Sequence, residues 1–535
     1  QGGWPTTVFL TPDGRPFYAG TYFPPEPRHG LPSFRQLLEA IASAWQERRD
    51  DLESQAAKLV GALGGAARLT VGDAELSPAL LDAAERALAR DYEPAFGGFG
   101  TAPKFPPSSA VELLLRRGGP EALGMVRRTL DGMAAGGLYD VVGGGFHRYS
   151  VDARWVVPHF EKMLYDNALL TSAYLHAWVV TGDERYRGVV EETVSYLLRE
   201  MRLEDGGFAS AQDADTDGVE GLTYTWTEAE WTALGLDPSL LETFEHGRGI
   251  VRGELDADVK ARLLALRVER SQPFRDDKAI ASWNGLTLAA LAEAARRLDR
   301  TDWLAAAAEL GEFLLGPLRG DDGRVLRSIR AGKVSGGGFL DDHANVAHGL
   351  LELHVGTGDV RWLLEARRIA DVAIDLFADE ERGGFFLAPR DGERLATRSK
   401  DLDDEPIPSG NSMMASLLIR LGRIWGDDAL VRRGEGVLRL LAPAMERVPR
   451  AFSWALSTLH LHLSPPRELA IVGDVGSDVA RAALRGFAPE TVVAVGPSDE
   501  VPLLAGKGLV DGRPAVYVCE RFACRAPATR PDELQ

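Results

Sequence analysis

A chain of 535 residues exceeds what one hydrophobic core usually serves, so two or three domains are expected. Its 60 Lys and Arg stand against 79 Asp and Glu, and the net charge of −19 repels phosphate backbones and anionic lipid, which argues against nucleic-acid and membrane-surface binding. No apolar run reaches the roughly 18 residues of a spanning helix, and two cysteines, Cys519 and Cys524, are too few for a disulfide scaffold and spaced unlike a redox or zinc pair, so a cytoplasmic setting is expected.

The chain opens "QGGWPTTVFLTPDGRPFYAGT", with β-rich runs at 6–10 and 16–22 joined by TPDG, whose Pro, Asp and Gly suit a tight reversal. Ser33 is placed to cap a helical pattern that reaches about Leu63, with Phe34, Leu37, Leu38, Ile41 and Trp45 at helical spacing. Residues 1–70 therefore read as strand, strand and helix, too little apolar surface to stand alone.

Residues 71–464 read as helices rich in Ala, Leu, Arg and Glu between glycine-rich loops. The tripeptide GGF recurs at Gly97, Gly144, Gly206, Gly337 and Gly383, and the long gap after Gly206 leaves room for one divergent copy. Four apolar helices open near an Asn, at Asn167, Asn284, Asn345 and Asn411. A single such Asn reads as a simple cap, but four, each after an aromatic or charged loop, are read as substrate-binding candidates. Apolar helices alternating with helices charged on one face give an inner and an outer ring, and about six pairs fit: a mainly α chain built on a closed (α/α)6 toroid. Residues 465–535, after Pro465–Pro466, read as a small α/β region with strands at RELAIVG, TVVAVGP and PAVYVCE. It lacks a dinucleotide or phosphate-loop pattern, and no cofactor is expected.

Loops converging on a toroid mouth are where chemistry would sit. His147, His159, Glu161, Asp342 and His343 are the acid/base candidates, because histidine and carboxylate move protons near neutral pH. Lys104, Phe105, Arg148, Trp155, Asp166, Asn167, Asp213, Asp215, Trp283, Asn284, Asn345 and Asn411 are the substrate-binding candidates, their aromatic faces suited to sugar rings. The run DADTDG resembles the start of a calcium loop but lacks the closing acidic residue, so no metal is expected. Proton transfer beside a carbonyl and cleavage between two carboxylates both remain open.

The segments GGWPTTVFLTPDGRPFYAGTYFPP, GGFGTAPKFPP, GGGFHRYSVDARWVVPHFEKMLYDNA, DDKAIASWNG, PSGNS and YVCERFACRAPATRPDEL resemble the spermatogenesis-associated protein 20 family from end to end. The resemblance implies a thioredoxin-like domain, a toroid similar to N-acylglucosamine 2-epimerases and six-hairpin glycosidases, and a small C-terminal region, with no settled reaction. It also implies that a cysteine motif lies upstream of GGWP, that residues 1–70 hold only the second half of the thioredoxin-like fold, and that Trp4–Pro5 is its cis-proline. The expected function is a sugar epimerase or isomerase acting on a small carbohydrate. The alternatives are a redox or chaperone-like protein whose toroid only binds, and a sugar-binding scaffold without turnover.

Overall fold

The computed structural model describes residues 6–28, 30–65, 71–72, 75–393 and 396–534. The Trp4–Pro5 bond lies outside them. Near the N-terminus β1 (Thr7–Leu10) and β2 (Pro16–Gly20) pair antiparallel. Helix α1 (Phe34–Glu47) starts in a capping box in which Ser33 and Gln36 satisfy each other's backbone N–H, and α2 (Arg49–Leu63) follows. Phe17 stacks on Trp45 at 5.9 Å, yet Val8, Leu10, Tyr18 and Leu38 are exposed, so this unit has only a thin core of its own.

Six helices form a closed ring: α4 (Ser108–Arg117), α6 (Leu164–Thr181), α10 (Ala281–Arg297), α12 (Leu340–Thr357), α14 (Gly410–Trp425) and α16 (Ser453–Leu463), each packed on the next and α16 back on α4. Six outer helices alternate with them: α3 (Pro78–Asp91), α5 (Gly119–Ala135), α7 (Glu184–Tyr196, extended by a π-helical turn to Met201), α11 (Thr301–Leu315), α13 (Val360–Phe377) and α15 (Asp428–Arg447). The short α8 (Glu228–Ala233) and α9 (Ala257–Val268) lie in the long excursion between α7 and α10. Burial separates the rings as the patterning predicts. Of 17 residues in α10, 13 are buried nearly all round; α13 buries one stripe. At the α10–α12 contact a Cβ on Gly285 would lie 2.5 Å from the Asn345 carbonyl carbon, and one on Gly349 would lie 2.5 Å from the Gly285 carbonyl oxygen, so two glycines set the closest backbone approach in the ring.

The outer helices α3, α5, α7, α11 and α13 each end in the same tight reversal, bridged at Tyr92–Phe99, Tyr139–Phe146, Arg202–Phe208, Arg319–Val325 and Ala378–Phe385. Four of these carry GGF, and in three of the four both glycines adopt left-handed backbone, as at Gly144 (φ +78°) and Gly145 (φ +79°). The divergent copy is GDDGRV at 320–325. The GGF at Gly337 is a different feature: its Phe339 is the N-cap residue of α12, and its N–H donates to Asp342 Oδ2 (2.8 Å).

The inner-helix asparagines turn out to clamp these reversals. Asn167 Oδ1 accepts from the N–H of Phe146 (2.7 Å) while its Nδ2 donates to the carbonyls of Phe146 (3.1 Å) and Met163 (2.9 Å). Asn284 repeats this on Phe208 (2.8 and 3.0 Å) and Ile280 (2.9 Å), and Asn411 on Phe385 (2.8 and 2.9 Å) and Asp401 (2.8 Å). In the α12 repeat the clamp is His343, not Asn345. Its Nε2 accepts from Val325 N–H (3.0 Å) and Nδ1–H donates to Phe339 O (2.8 Å), which fixes the tautomer. Three buried lysines brace the same loops. Lys104 donates to Glu93 (3.0 Å), Gly97 O (2.8 Å) and Ala153 O (2.8 Å); Lys162 to Asp140 (2.8 Å) and Gly144 O (2.9 Å); Lys400 to Asp379 (2.9 Å) and Gly383 O (2.6 Å).

The C-terminal unit is a four-stranded sheet in the order β4–β3–β5–β6, where β3 is Arg467–Val472, β4 Thr491–Val495, β5 Ala515–Glu520 and β6 Ala523–Cys524. The β3–β4 pair is parallel, with α17 (Asp478–Leu484) as its crossover, and the other two pairs are antiparallel. A Cys519–Cys524 disulfide staples the last hairpin. Strand β4 packs on α12, α13 and α14, and Val495 N–H donates to His354 Nε2 (2.9 Å).

Because His343 and His354 accept backbone N–H groups at Nε2, neither can bind a proton there without breaking the contact. Burial holds both at about 4, against 6.5 in an unfolded chain. The unfolded state thus binds more protons below pH 6.5, and this share of stability, complete above 6.5, is lost as pH falls through 4. His343→Asn, which restores an amide clamp, is expected to flatten that acid loss and to cost less than His343→Ala, which leaves the buried Val325 N–H unpaired at about 1–3 kcal/mol. Urea unfolding of the three proteins at pH 7 and pH 5 measures both effects; equal losses in the two variants would show that the ring fills space and does not clamp.

Candidate active site at the toroid mouth

One mouth is built from the loops that enter the N-terminal ends of the inner helices. Between α5 and α6 the chain forms a short antiparallel pair, Tyr149–Ser150 with Pro158–His159. His147 lies beneath it, buried, with Nδ1 against Phe160 O (2.9 Å) and edge-on to the rings of Phe160 and Tyr224. Burial and nearby Lys162 hold it neutral, down at about 3. Trp155 is also fully buried, its Nε1–H donating to Phe96 O (3.1 Å). Lys104 has all three donors occupied. These three residues support the mouth from beneath, through bonds to backbone carbonyls.

His159 is different. Its side chain is 29% exposed, its Nδ1 contacts Glu220 Oε1 (2.7 Å), and its ring stacks on Tyr149 (5.0 Å), which in turn meets half-exposed Phe105 (4.8 Å). Nε2 of His159 lies 3.9 Å from Glu161 Oε2, and Glu161 accepts from Arg148 (2.8 Å). Beside Arg148, in the first turn of α6, stand Tyr165 and Asp166. Burial pushes the Asp166 carboxyl well up despite Arg148, and its Oδ2 is buried without a partner. Tyr165 meets Trp283 of α10 edge to face (4.9 Å). Phe105 and Arg148 also line a cavity of about 420 Å³ with Asp404 and Arg450.

Across the mouth, Arg327 bridges Asp341 (2.7 Å) and Asp342 (2.9 Å) at the start of α12. Asp342 is fully buried and also accepts from the N–H groups of Ser282 (3.0 Å) and Phe339 (2.8 Å). Burial and the Asp341 charge raise it to about 8. Asp342 thus holds α12 to α10, while Asp341 keeps an unpartnered buried oxygen. Asn345 is buried with neither amide atom bonded, so of the four asparagines it alone has hydrogen-bonding capacity left. Before α14, burial and neighbouring acids raise Asp401 to about 6, and burial raises Asp404 to about 6. Arg327, Tyr165, Asp401 and Asp404 were not singled out from the sequence. The acidic run KDLDD before PSGN is the one signal that would have drawn attention to the last two.

Asp213 and Asp215 are exposed and do not join this set. The DADTDG run is a β-hairpin: Thr216 pairs with Val219, and Asp217 (φ +52°) and Gly218 (φ +77°) make the left-handed turn that an Asp-Gly pair favours. Among the described residues no group of three or more His, Cys, Asp or Glu is arranged to hold a metal ion, and no helix is long and apolar enough to cross a membrane.

Asp401 keeps its proton in the folded chain to about pH 6 but loses it near 3.8 when unfolded, so its contribution to stability falls as pH rises from 4 to 6. Asp401→Asn is expected to become more stable relative to the parent across that interval. Denaturant midpoints of both proteins at pH 4.5 and 6.5 check the sign, and parallel curves would place Asp401 in an ordinary solvated setting.

Residues 1–64 match the thioredoxin family model of DsbH type, described as a protein of unknown function, DUF255. Among solved structures, a D-mannose isomerase aligns over 68% of this chain and 86% of its own at 13% identity and a TM-score of 0.48. An unsaturated glucuronyl hydrolase specific for heparin aligns over 72% and 95% at 12% identity and 0.44. The ring described above rests on this chain's own helix contacts. Spermatogenesis-associated protein 20 of Homo sapiens is 31% identical over 622 aligned positions, covering all of this chain and 79% of the relative, and that of Rattus norvegicus is 32% identical with the same coverage. The chain belongs to the spermatogenesis-associated protein 20 family.

Proposed function

We propose that the chain is a carbohydrate-active protein of epimerase or isomerase type, working at the toroid mouth with His159 as its acid/base group. The observation that carries this reading is the contrast among the three candidate histidines. His147 is buried with Nδ1 on a backbone carbonyl and is held neutral, His343 is buried with both nitrogens engaged by backbone, whereas His159 keeps a partly open ring oriented by Glu220 on a Tyr149–Phe105 platform. A carboxylate on Nδ1 fixes the ring and leaves Nε2 to exchange a proton with a sugar carbon next to a carbonyl. Arg148 and Glu161 are the groups beside it for sugar hydroxyls.

A second reading rests on Asp166. A carboxyl kept neutral by burial, close to a second carboxyl, Glu161, across Arg148, is the pairing that cleaves a glycosidic bond. A redox role has less to work with, since the two cysteines of this chain are bonded to each other. That disulfide also pulls against the cytoplasmic setting expected from composition, because such bonds persist in oxidising surroundings.

Incubation in deuterium oxide with a panel of free and N-acyl sugars is expected to give exchange at the carbon next to the carbonyl. His159→Gln should reduce it about 10²–10⁴-fold, and Asp166→Asn far less. Hydrolysis of aryl glycosides lost in Asp166→Asn would favour the second reading. Sugar binding without exchange or hydrolysis would leave a scaffold, and no response to any sugar would overturn all three.

A further inference from the structure

Roughly 15 Å deeper along α6, at 1.5 Å per residue from Asp166 to His176, a second cavity of about 180 Å³ lies where the inner helices meet the C-terminal unit. All six inner helices line it, and the segment after α17, including Phe487, forms part of its wall. An apolar ring would be expected to close here on Leu and Ala. Instead it presents cations. His176 sits between Glu112 (Nδ1 to Oε1, 2.6 Å) and Glu293 (Nε2 to Oε2, 2.9 Å), whose charges raise it to about 10 and keep it an imidazolium. Arg297 pairs with Glu293 (2.7 Å) and Arg420 with Glu352 (2.7 Å).

Arg116 and Arg296 are left over. Arg116 is partly buried and makes no hydrogen bond or ion pair among the described residues, and its Nε is buried without a partner. Arg296 Nε is likewise buried and unpartnered, and its terminal nitrogens come no closer than 3.5 Å to Leu484 O and 3.6 Å to Glu293. With Arg467, which also lines it, six cations face three carboxylates around one cavity. Guanidinium groups with buried, unmatched N–H donors are costly, and the groups that satisfy two such forks are planar or tetrahedral oxyanions.

We propose that this inner cavity binds a small dianion, a phosphate group or a dicarboxylate, held by Arg116 and Arg296 at the junction of toroid and C-terminal unit. The site is separate from the mouth and does not depend on the reading given there. Its size, several times the ~30 Å³ share of one water, admits inorganic phosphate or succinate without rearrangement.

Isothermal titration of the full chain at constant ionic strength with phosphate, succinate and chloride tests this. Phosphate or succinate is expected to bind one to one and chloride not to bind, and which of the two binds identifies the oxyanion type. Arg116→Met and Arg296→Met should each weaken binding at least tenfold, and His159→Gln should leave it unchanged. If Arg116→Met fails to fold, Arg116→Lys keeps the charge without the fork and should still weaken binding. Absence of binding by both dianions, an equal response to chloride, or affinity untouched in Arg296→Met would overturn the proposal.

Discussion

The toroid depends on how it satisfies the backbone at its chain reversals. Five times the chain leaves an outer helix, turns within about seven residues and heads for the ring, and Phe146, Phe208, Val325 and Phe385 are buried at those turns with only a single-residue bridge for company. A buried N–H or C=O without a partner costs as much as a lost hydrogen bond. Asn carries an acceptor and a donor at the end of one short side chain, so a single residue serves both groups of the bridge and still reaches the carbonyl four residues back. His343 serves only the N–H of Val325 and gives its second ring nitrogen to the Phe339 carbonyl four residues back, at the price of a fixed tautomer. The inner helices can start at the rim because this clamp and the lysine braces replace a sheet that the reversals do not have.

The same device decides where chemistry can be sought. Conserving hydrogen-bond groups for the scaffold removes Lys104, His147, Asn167, Asn284, His343 and Asn411 from the mouth, along with Trp155, whose indole closes the loop below it. The groups that keep capacity are His159, Glu161 and Arg148 on one side and Asp341, Asp401 and Asn345 on the other, with Asp166 between helix and loop. Their arrangement joins an oriented imidazole, carboxyl groups of which Asp166 and Asp401 are pushed up by burial, and exposed aromatic faces. Sugar chemistry at a carbonyl or a glycosidic carbon uses these elements, whereas the cysteine pair sits in a hairpin of the C-terminal sheet.

The architecture was legible from periodicity and from GGF, because both report directly on backbone: an apolar helix is apolar wherever it is read, and two left-handed glycines in succession signal a reversal. The phase of one repeat was not legible. GGF at Gly337 has the same letters as the others, but the true fourth reversal, at 320–325, keeps a single glycine in the left-handed region, Gly323, and replaces Phe by Val. Side-chain roles were legible only as types. An Asn that clamps a loop and an Asn that meets a ligand look alike until the partner is known, and Asn345 shares its letter with the clamps while sitting two residues past the clamp position of its helix. Arg327 and Tyr165, reached through contacts between distant loops, left no local trace.

The bore completes the argument, since a ring of six helices must fill its centre or use it. Toward the mouth its unmatched polar atoms include those of Asp166, Asp341 and Asn345; toward the C-terminal unit it holds more guanidinium than carboxylate, on helices rich in Leu and Ala. Salt bridges alone do not account for this, because replacing such pairs by apolar residues is commonly neutral or stabilising. Glu112, Glu293 and Glu352 answer His176, Arg297 and Arg420 at hydrogen-bonding distance, and Arg116 and Arg296 stand beside them with buried Nε groups that no acceptor meets. The C-terminal sheet, docked through β4 and His354 against α12 to α14, brings the residues after α17 into the same cavity, which gives this appended unit a physical reason to be there: it shapes one wall of a chamber that the toroid alone would leave open.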